Sequence, residues 1–166
     1  MATISFNERL EKIRVQFLFD HPFLSVLALS IPHKYQNNPH VLFETDGVSI
    51  RVDESKTMGY DDGQLKYLYA HVLLHILLKH PFRMLGRDKP TWNRSCDIVI
   101  GLLLSDFQRV GSADEEAMVI ESFRDKSVEE VYHASTVRAM REKGNNLKIT
   151  PHSRRWISLN TRVIRR

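Results

Sequence analysis

Residues 65–80 read Leu-Lys-Tyr-Leu-Tyr-Ala-His-Val-Leu-Leu-His-Ile-Leu-Leu-Lys-His, an apolar run broken by histidines at positions 71 and 75. Asp61 and Asp62 stand in front of it, offering an N-cap and negative charge at the positive end of a helix dipole. Pro81 disfavours helical geometry at His80. The spacing therefore predicts a buried helix over residues 62–79 whose neighbours must cover it on several sides. A chain built around such a helix needs a core, and at 166 residues one compact domain can bury roughly two thirds of its unfolded surface.

The flanking segments supply that core. Residues 4–19 mix apolar and charged positions as an amphipathic helix does, and Pro22 interrupts them. Residues 23–31 form a nearly continuous apolar run that fits a buried helix or a buried strand, with Pro32 ending it. From Val41 the pattern alternates on either side of Thr45-Asp46-Gly47, the signature of a β-hairpin. Residues 82–89 read as a basic loop, and Pro90 suits the first turn of a helix running from Trp92 to about Asp106. An acidic loop over residues 111–126 follows. Ser127 with Glu130 three residues on is a capping-box signature for a last helix ending near Lys143, before Gly144 and Asn145. These elements make an α+β domain, helices flanking a small antiparallel sheet or hairpin, over residues 1–144.

Residues 145–166 are read as a basic C-terminal tail. The net charge of +4 divides unevenly: residues 1–136 hold 15 Lys and Arg against 19 Asp and Glu, and residues 137–166 hold 9 against 1. Such a tail either is solvated or meets nucleic acid or an acidic partner surface. Cys96 is the single cysteine, which excludes an intrachain disulfide and a cysteine-rich zinc ribbon and points to a reducing compartment. The N-terminal residues carry no apolar signal-type core, and no apolar stretch approaches the roughly 20 residues that cross a bilayer. The expectation is a cytoplasmic protein without a membrane span.

His71 and His75 are the residues with chemistry to offer. Four apart on a helix, they share a face, and two imidazoles one turn apart can reach one metal ion. In so apolar a helix the alternative is a pair of core histidines hydrogen-bonded to carboxylates or carbonyls. A tetrahedral site needs a further ligand. His80, nine residues after His71, points to the opposite side at 100° per residue unless the last turn unwinds at Pro81. Asp97 sits in Cys96-Asp-Ile-Val-Ile-Gly-Leu-Leu-Leu, where an ionised carboxylate needs a cation; either a metal or Arg94 would serve. Trp92 and Cys96 read as packing residues, and Arg83 and Arg87 as loop charges with an anion as the alternative.

These residues carry a resemblance. His21-Pro-Phe-Leu, Thr45-Asp-Gly, His71-Val-Leu-Leu-His, His80, Gly86-Arg-Asp-Lys-Pro-Thr-Trp-Asn-Arg-Ser-Cys-Asp97 and Ser127-Val-Glu-Glu-Val-Tyr together resemble the N-terminal domain of a metallopeptidase family often fused to a von Willebrand factor A-like domain. The likeness covers about residues 1–135. It implies a zincin-like fold, zinc as cofactor, and His71, His75 and Asp97 as metal ligands; His80 and Arg94 stay accessory candidates from the reading of the residues themselves. It also implies a partner, either a separate von Willebrand-like protein or an associated ATPase.

The chain departs from that family at one decisive place. The family helix reads His-Glu-x-x-His, and here the glutamate position is Val72. In such enzymes the carboxylate takes a proton from the metal-bound water and returns it to the leaving amine. Valine does neither, so the expected protein is metal-binding and catalytically inactive or impaired, with no catalytic residue assigned. The alternatives are a zinc hydrolase using another base, Glu44 or Asp88, and a metal-dependent RNA-binding or endoribonuclease-like protein using the basic tail. The von Willebrand-like segment expected downstream is replaced by that tail.

Overall fold

A computed structural model describes residues 5–36, 42–112, 119–144 and 157–159. Helix α1 (Phe6–Asp20) starts at a capping box in which Ser5 and Glu8 satisfy each other's backbone amides. The ambiguous run at residues 23–31 is helix α2 (Pro22–Ser30), with Pro22 in its first turn, packed against α1. Strand β1 (His33–Tyr35) follows. Strands β2 (Phe43–Thr45) and β3 (Ile50–Val52) form the expected antiparallel hairpin. Asp46 accepts hydrogen bonds from the amides of Val48 (3.1 Å) and Ser49 (2.8 Å), and Gly47 adopts φ +93°, so both residues of the Asp-Gly turn do the work expected of them.

The sheet as a whole corrects the antiparallel expectation. Its order is β1-β3-β2-β4; β4 (Ile157–Leu159) lies parallel to β2, and β1 lies parallel to β3. It is a mixed sheet, because short outer strands arrive from connections too long for hairpins. The architecture is α+β. Strand β4 falls within residues 145–166, the segment read as a basic tail; the rest of that segment lies outside the described residues.

Helix α3 (Asp62–Leu77) is the spine. Asp61 and Gln64 form its capping box, and Leu65, Leu68, Tyr69, Val72, Leu73 and Ile76 enter the main core with Phe17, Leu24, Phe43 and Ile50. It ends two residues before the position predicted. Lys79 takes a left-handed conformation (φ 55°), and a short helix α4 (His80–Arg83) restarts with Pro81 in its first turn, where the missing N–H costs nothing. Phe82 and Arg83, the first two residues of the stretch read as loop, are therefore helical. Helix α5 (Lys89–Ser105) is capped by the Asp88 side chain, joins the core of α3 through Ile100 and Leu104, and packs on α6 (Val128–Gly144) through Trp92, Cys96, Ile98, Leu102, Val128 and Val131. The predicted Ser127–Glu130 capping box is formed.

One part-buried polar chain links α1, β1 and α3. Arg14 Nη2 donates to His33 Nδ1 at 2.9 Å, which leaves His33 Nε2 to donate to the Tyr69 hydroxyl at 2.9 Å, and Tyr69 donates to the Ala28 carbonyl. Burial, followed by the Arg14 charge, holds the His33 imidazole down at about 4. His33 is thus neutral in the fold and ordinary, near 6.5, when unfolded. Its contribution to stability is complete above pH 6.5 and is lost as pH falls through about 4. Denaturant unfolding across that window should show stability declining with acid, and His33→Gln should flatten the decline.

Candidate metal centre

Helix α3 presents His71 and His75 one turn apart, and α5 crosses it with Asp97 facing the gap. His71 Nε2 and His75 Nε2 are 3.0 Å apart; Asp97 Oδ1 lies 3.3 Å from the first and 3.2 Å from the second. Three ligand-type atoms thus form a nearly equilateral triangle. A tetrahedral zinc with bonds of about 2.0–2.1 Å to nitrogen or oxygen has ligand-to-ligand edges of about 3.3–3.4 Å. The observed edges match that figure to within about 0.4 Å. The site also has an open side: His75 is 1% exposed and His71 11%, but the Asp97 side chain keeps 36%.

The electrostatics suit a cation. Burial raises the Asp97 carboxyl, yet hydrogen bonds from His71 and His75 outweigh it and hold the group well below the usual carboxylate range. Burial lowers His75, keeping its imidazole neutral. Arg94, the other cation weighed for Asp97, is exposed on α5, and the partners that Asp97 has among the described residues are the two imidazoles.

His80 returns to the histidine pair, but not to the triangle. The left-handed turn at Lys79 swings it back, so that its Nδ1 lies 3.2 Å from Nδ1 of His75. It therefore meets the far side of the His75 ring, away from His71 and Asp97. Trp92 fixes it there, donating from Nε1 to the His80 carbonyl at 3.0 Å. Cys96 also comes close: His75, His80 and Cys96 form a second, wholly buried group whose ligand atoms lie within 4.8 Å of one another. Helical divergence from Asp97 gave no reason to expect this. The cue was His80, whose displacement brings a second imidazole to the face of α5 that Cys96 occupies. Burial pushes the Cys96 thiol up, as does the nearby Asp97 charge, so the sulfur is a thiol in the metal-free core.

Other candidates are engaged elsewhere. Arg83 pairs with Glu129 at 2.6 Å and donates to the Leu78 carbonyl; Arg87 lies over the Trp92 ring at 4.9 Å. Glu44 faces Arg51 at 3.7 Å, and Asp88 caps α5 by accepting from the Thr91 amide and hydroxyl. Neither of the two carboxylates weighed as a substitute base is directed at the triangle.

A family described as "Putative metallopeptidase domain" matches residues 5–158. The chain belongs to this metallopeptidase-domain family. The match runs from α1 into β4, so it includes both histidines, Asp97 and all of the sheet but Leu159. No curated protein and no solved structure matched the chain. Within this metallopeptidase-domain chain, Val72 is 0% exposed and packs in the main apolar cluster. Tyr67 stands beside the triangle: its ring meets His71 edge-on at 6.2 Å, and burial, then the Asp97 charge, raises its hydroxyl, which is a proton donor and not a base. No helix among the described residues is long and apolar enough to cross a membrane.

Proposed function

We propose that this metallopeptidase-type domain binds one zinc ion through His71, His75 and Asp97 in a zincin-like arrangement, and acts through binding with hydrolysis absent or severely weakened. The observation that carries the reading is the triangle itself, three convergent ligand atoms with edges of 3.0, 3.2 and 3.3 Å. Bound there, zinc would supply Lewis acidity and a lowered water pKa. What the chain's own residues supply is orientation. Asp97 brings the negative charge, and His71 and His75 are held by the rigid turn of α3.

The weak point is proton transfer. General acid–base catalysis contributes about 10²–10⁴-fold, and an apolar valine stands at the position where the family pattern has its carboxylate. The function that fits is recognition, with a protein partner of the von Willebrand-like or ATPase type in the cytoplasm. Zinc is favoured over harder cations because two imidazoles and a single carboxylate make a nitrogen-rich set.

Elemental analysis of the purified chain tests the site. About one zinc per chain is expected in the parent, and His75→Ala should lose it. A parent that stays metal-free after zinc is added back, with chelators avoided throughout, overturns the reading.

A further inference from the structure

His75 uses both of its ring nitrogens. Nε2 faces His71 and Asp97, and Nδ1 lies 3.2 Å from Nδ1 of His80. A neutral imidazole carries one proton, so of two facing Nδ1 atoms one donates and the other accepts. His80 is 1% exposed, and burial, with the Arg83 charge adding to it, pulls its pKa down to about 2, so it too is neutral.

The direction of that bond depends on what His75 Nε2 is doing. With Nε2 protonated toward Asp97, Nδ1 of His75 is a lone pair and His80 must donate. With Nε2 bound to a metal, His75 carries its proton on Nδ1 and His80 must accept. We propose that His80 is the positioning residue of the site, an imidazole that serves His75 in both states by exchanging tautomers. The proposal rests on reading the triangle as a metal site.

This explains two otherwise odd features. Ligating histidines commonly give their second N–H to a carboxylate, a carbonyl or water. A carboxylate or carbonyl can only accept, and so would satisfy His75 in the metal-bound state alone; a neutral imidazole can do either. The second feature is His80 Nε2, which is buried without a hydrogen-bond partner among the described residues. A fixed donor or acceptor there would lock one tautomer. The bare nitrogen leaves His80 free to hold a proton or a lone pair at Nε2, while Trp92 keeps the backbone in place through the His80 carbonyl.

The proton count closes. On metal binding, the shared proton crosses from His80 Nδ1 to His75 Nδ1. The proton displaced from His75 Nε2 goes to water, and His80 Nε2, buried in the closed fold, takes one up from water through local opening. The pair holds two protons before and after.

The test is long-range 1H–15N NMR of the labelled full chain, without metal and with one equivalent of zinc. His80 should change from the Nδ1–H to the Nε2–H pattern. In zinc competition titrations His80→Phe should bind about 10–100-fold more weakly. His80→Asn, whose amide can present either a donor or an acceptor near the Nδ1 position, should recover most of that loss. A His80 tautomer unchanged by zinc overturns the proposal and leaves the zinc site standing, as does a folded His80→Phe that binds as tightly as the parent. A strong thiolate-to-metal absorption with cobalt, abolished by Cys96→Ser, overturns it too, by making His80 and Cys96 ligands. A parent that binds no zinc removes the underlying reading itself.

Discussion

Val72→Glu is expected to give the zinc-loaded protein a hydrolytic activity toward unfolded polypeptide that exceeds the parent's by about 10²–10⁴-fold, the usual worth of a positioned acid–base group. Successive helical residues diverge by 100°, so position 72 sits about 80° from the bisector of His71 and His75. A glutamate there has three side-chain torsions with which to reach the edge of the triangle. The cost is visible in the core. Val72 is wholly buried among apolar residues, and a carboxylate left pointing inward is destabilising by several kcal/mol or stays protonated.

The two effects give the variant a second signature, because a carboxylate that turns to the metal escapes the core. Zinc should raise the thermal midpoint of Val72→Glu more than that of the parent. Peptide hydrolysis and thermal unfolding, each with and without zinc, read both. A folded, zinc-loaded Val72→Glu no more active than the parent would mean that the missing glutamate is not what silences the site.

Gly111→Ala should lower stability by about 3–5 kcal/mol, combining left-handed backbone strain with severe overpacking. Gly111 has φ +94°, and a Cβ there would lie 2.1 Å from the carbonyl oxygen of Gly63, in the first turn of α3. Backbone atoms meet backbone, so neither side can swing away as a flexible side chain could. For a chain of this size the thermal midpoint should fall by on the order of 10 °C. Gly86→Ala is the internal control. Gly86 has φ +77° with open space around it, so only the backbone term applies and the loss should be about 1–2 kcal/mol. Equal losses at the two positions would show that the contact with Gly63 yields.

Much of this was legible in the chain, for identifiable reasons. The N-cap at Asp61, the capping box at Ser127, the Asp46-Gly47 turn and Pro90 are local signals, and local chemistry decides them. His71 and His75 were legible through helical periodicity, and Asp97 through the cost of a charge in an apolar run. What escaped was set by tertiary geometry. The parallel pairings of β1 and β4 join residues far apart in sequence, and periodicity carries no trace of them. Residues 23–31 carried no period to tell helix from strand, and packing against α1 decided it. The approach of His80 and Cys96 to His75 depends on one left-handed residue, Lys79, whose conformation no glycine or asparagine advertised.

Strand β4 changes how this chain can be shortened. Residues 157–159 pair with Phe43, Glu44 and Thr45 along the open side of β2. Cutting the chain after residue 144 to remove its positive charge would also strip a neighbour from β2, whose freed amides and carbonyls become a template for pairing between molecules. Aggregation of such a truncation would report the loss of a strand and say nothing about the charge. Replacing the arginines at positions 154, 155, 162, 165 and 166 with glutamine separates the two.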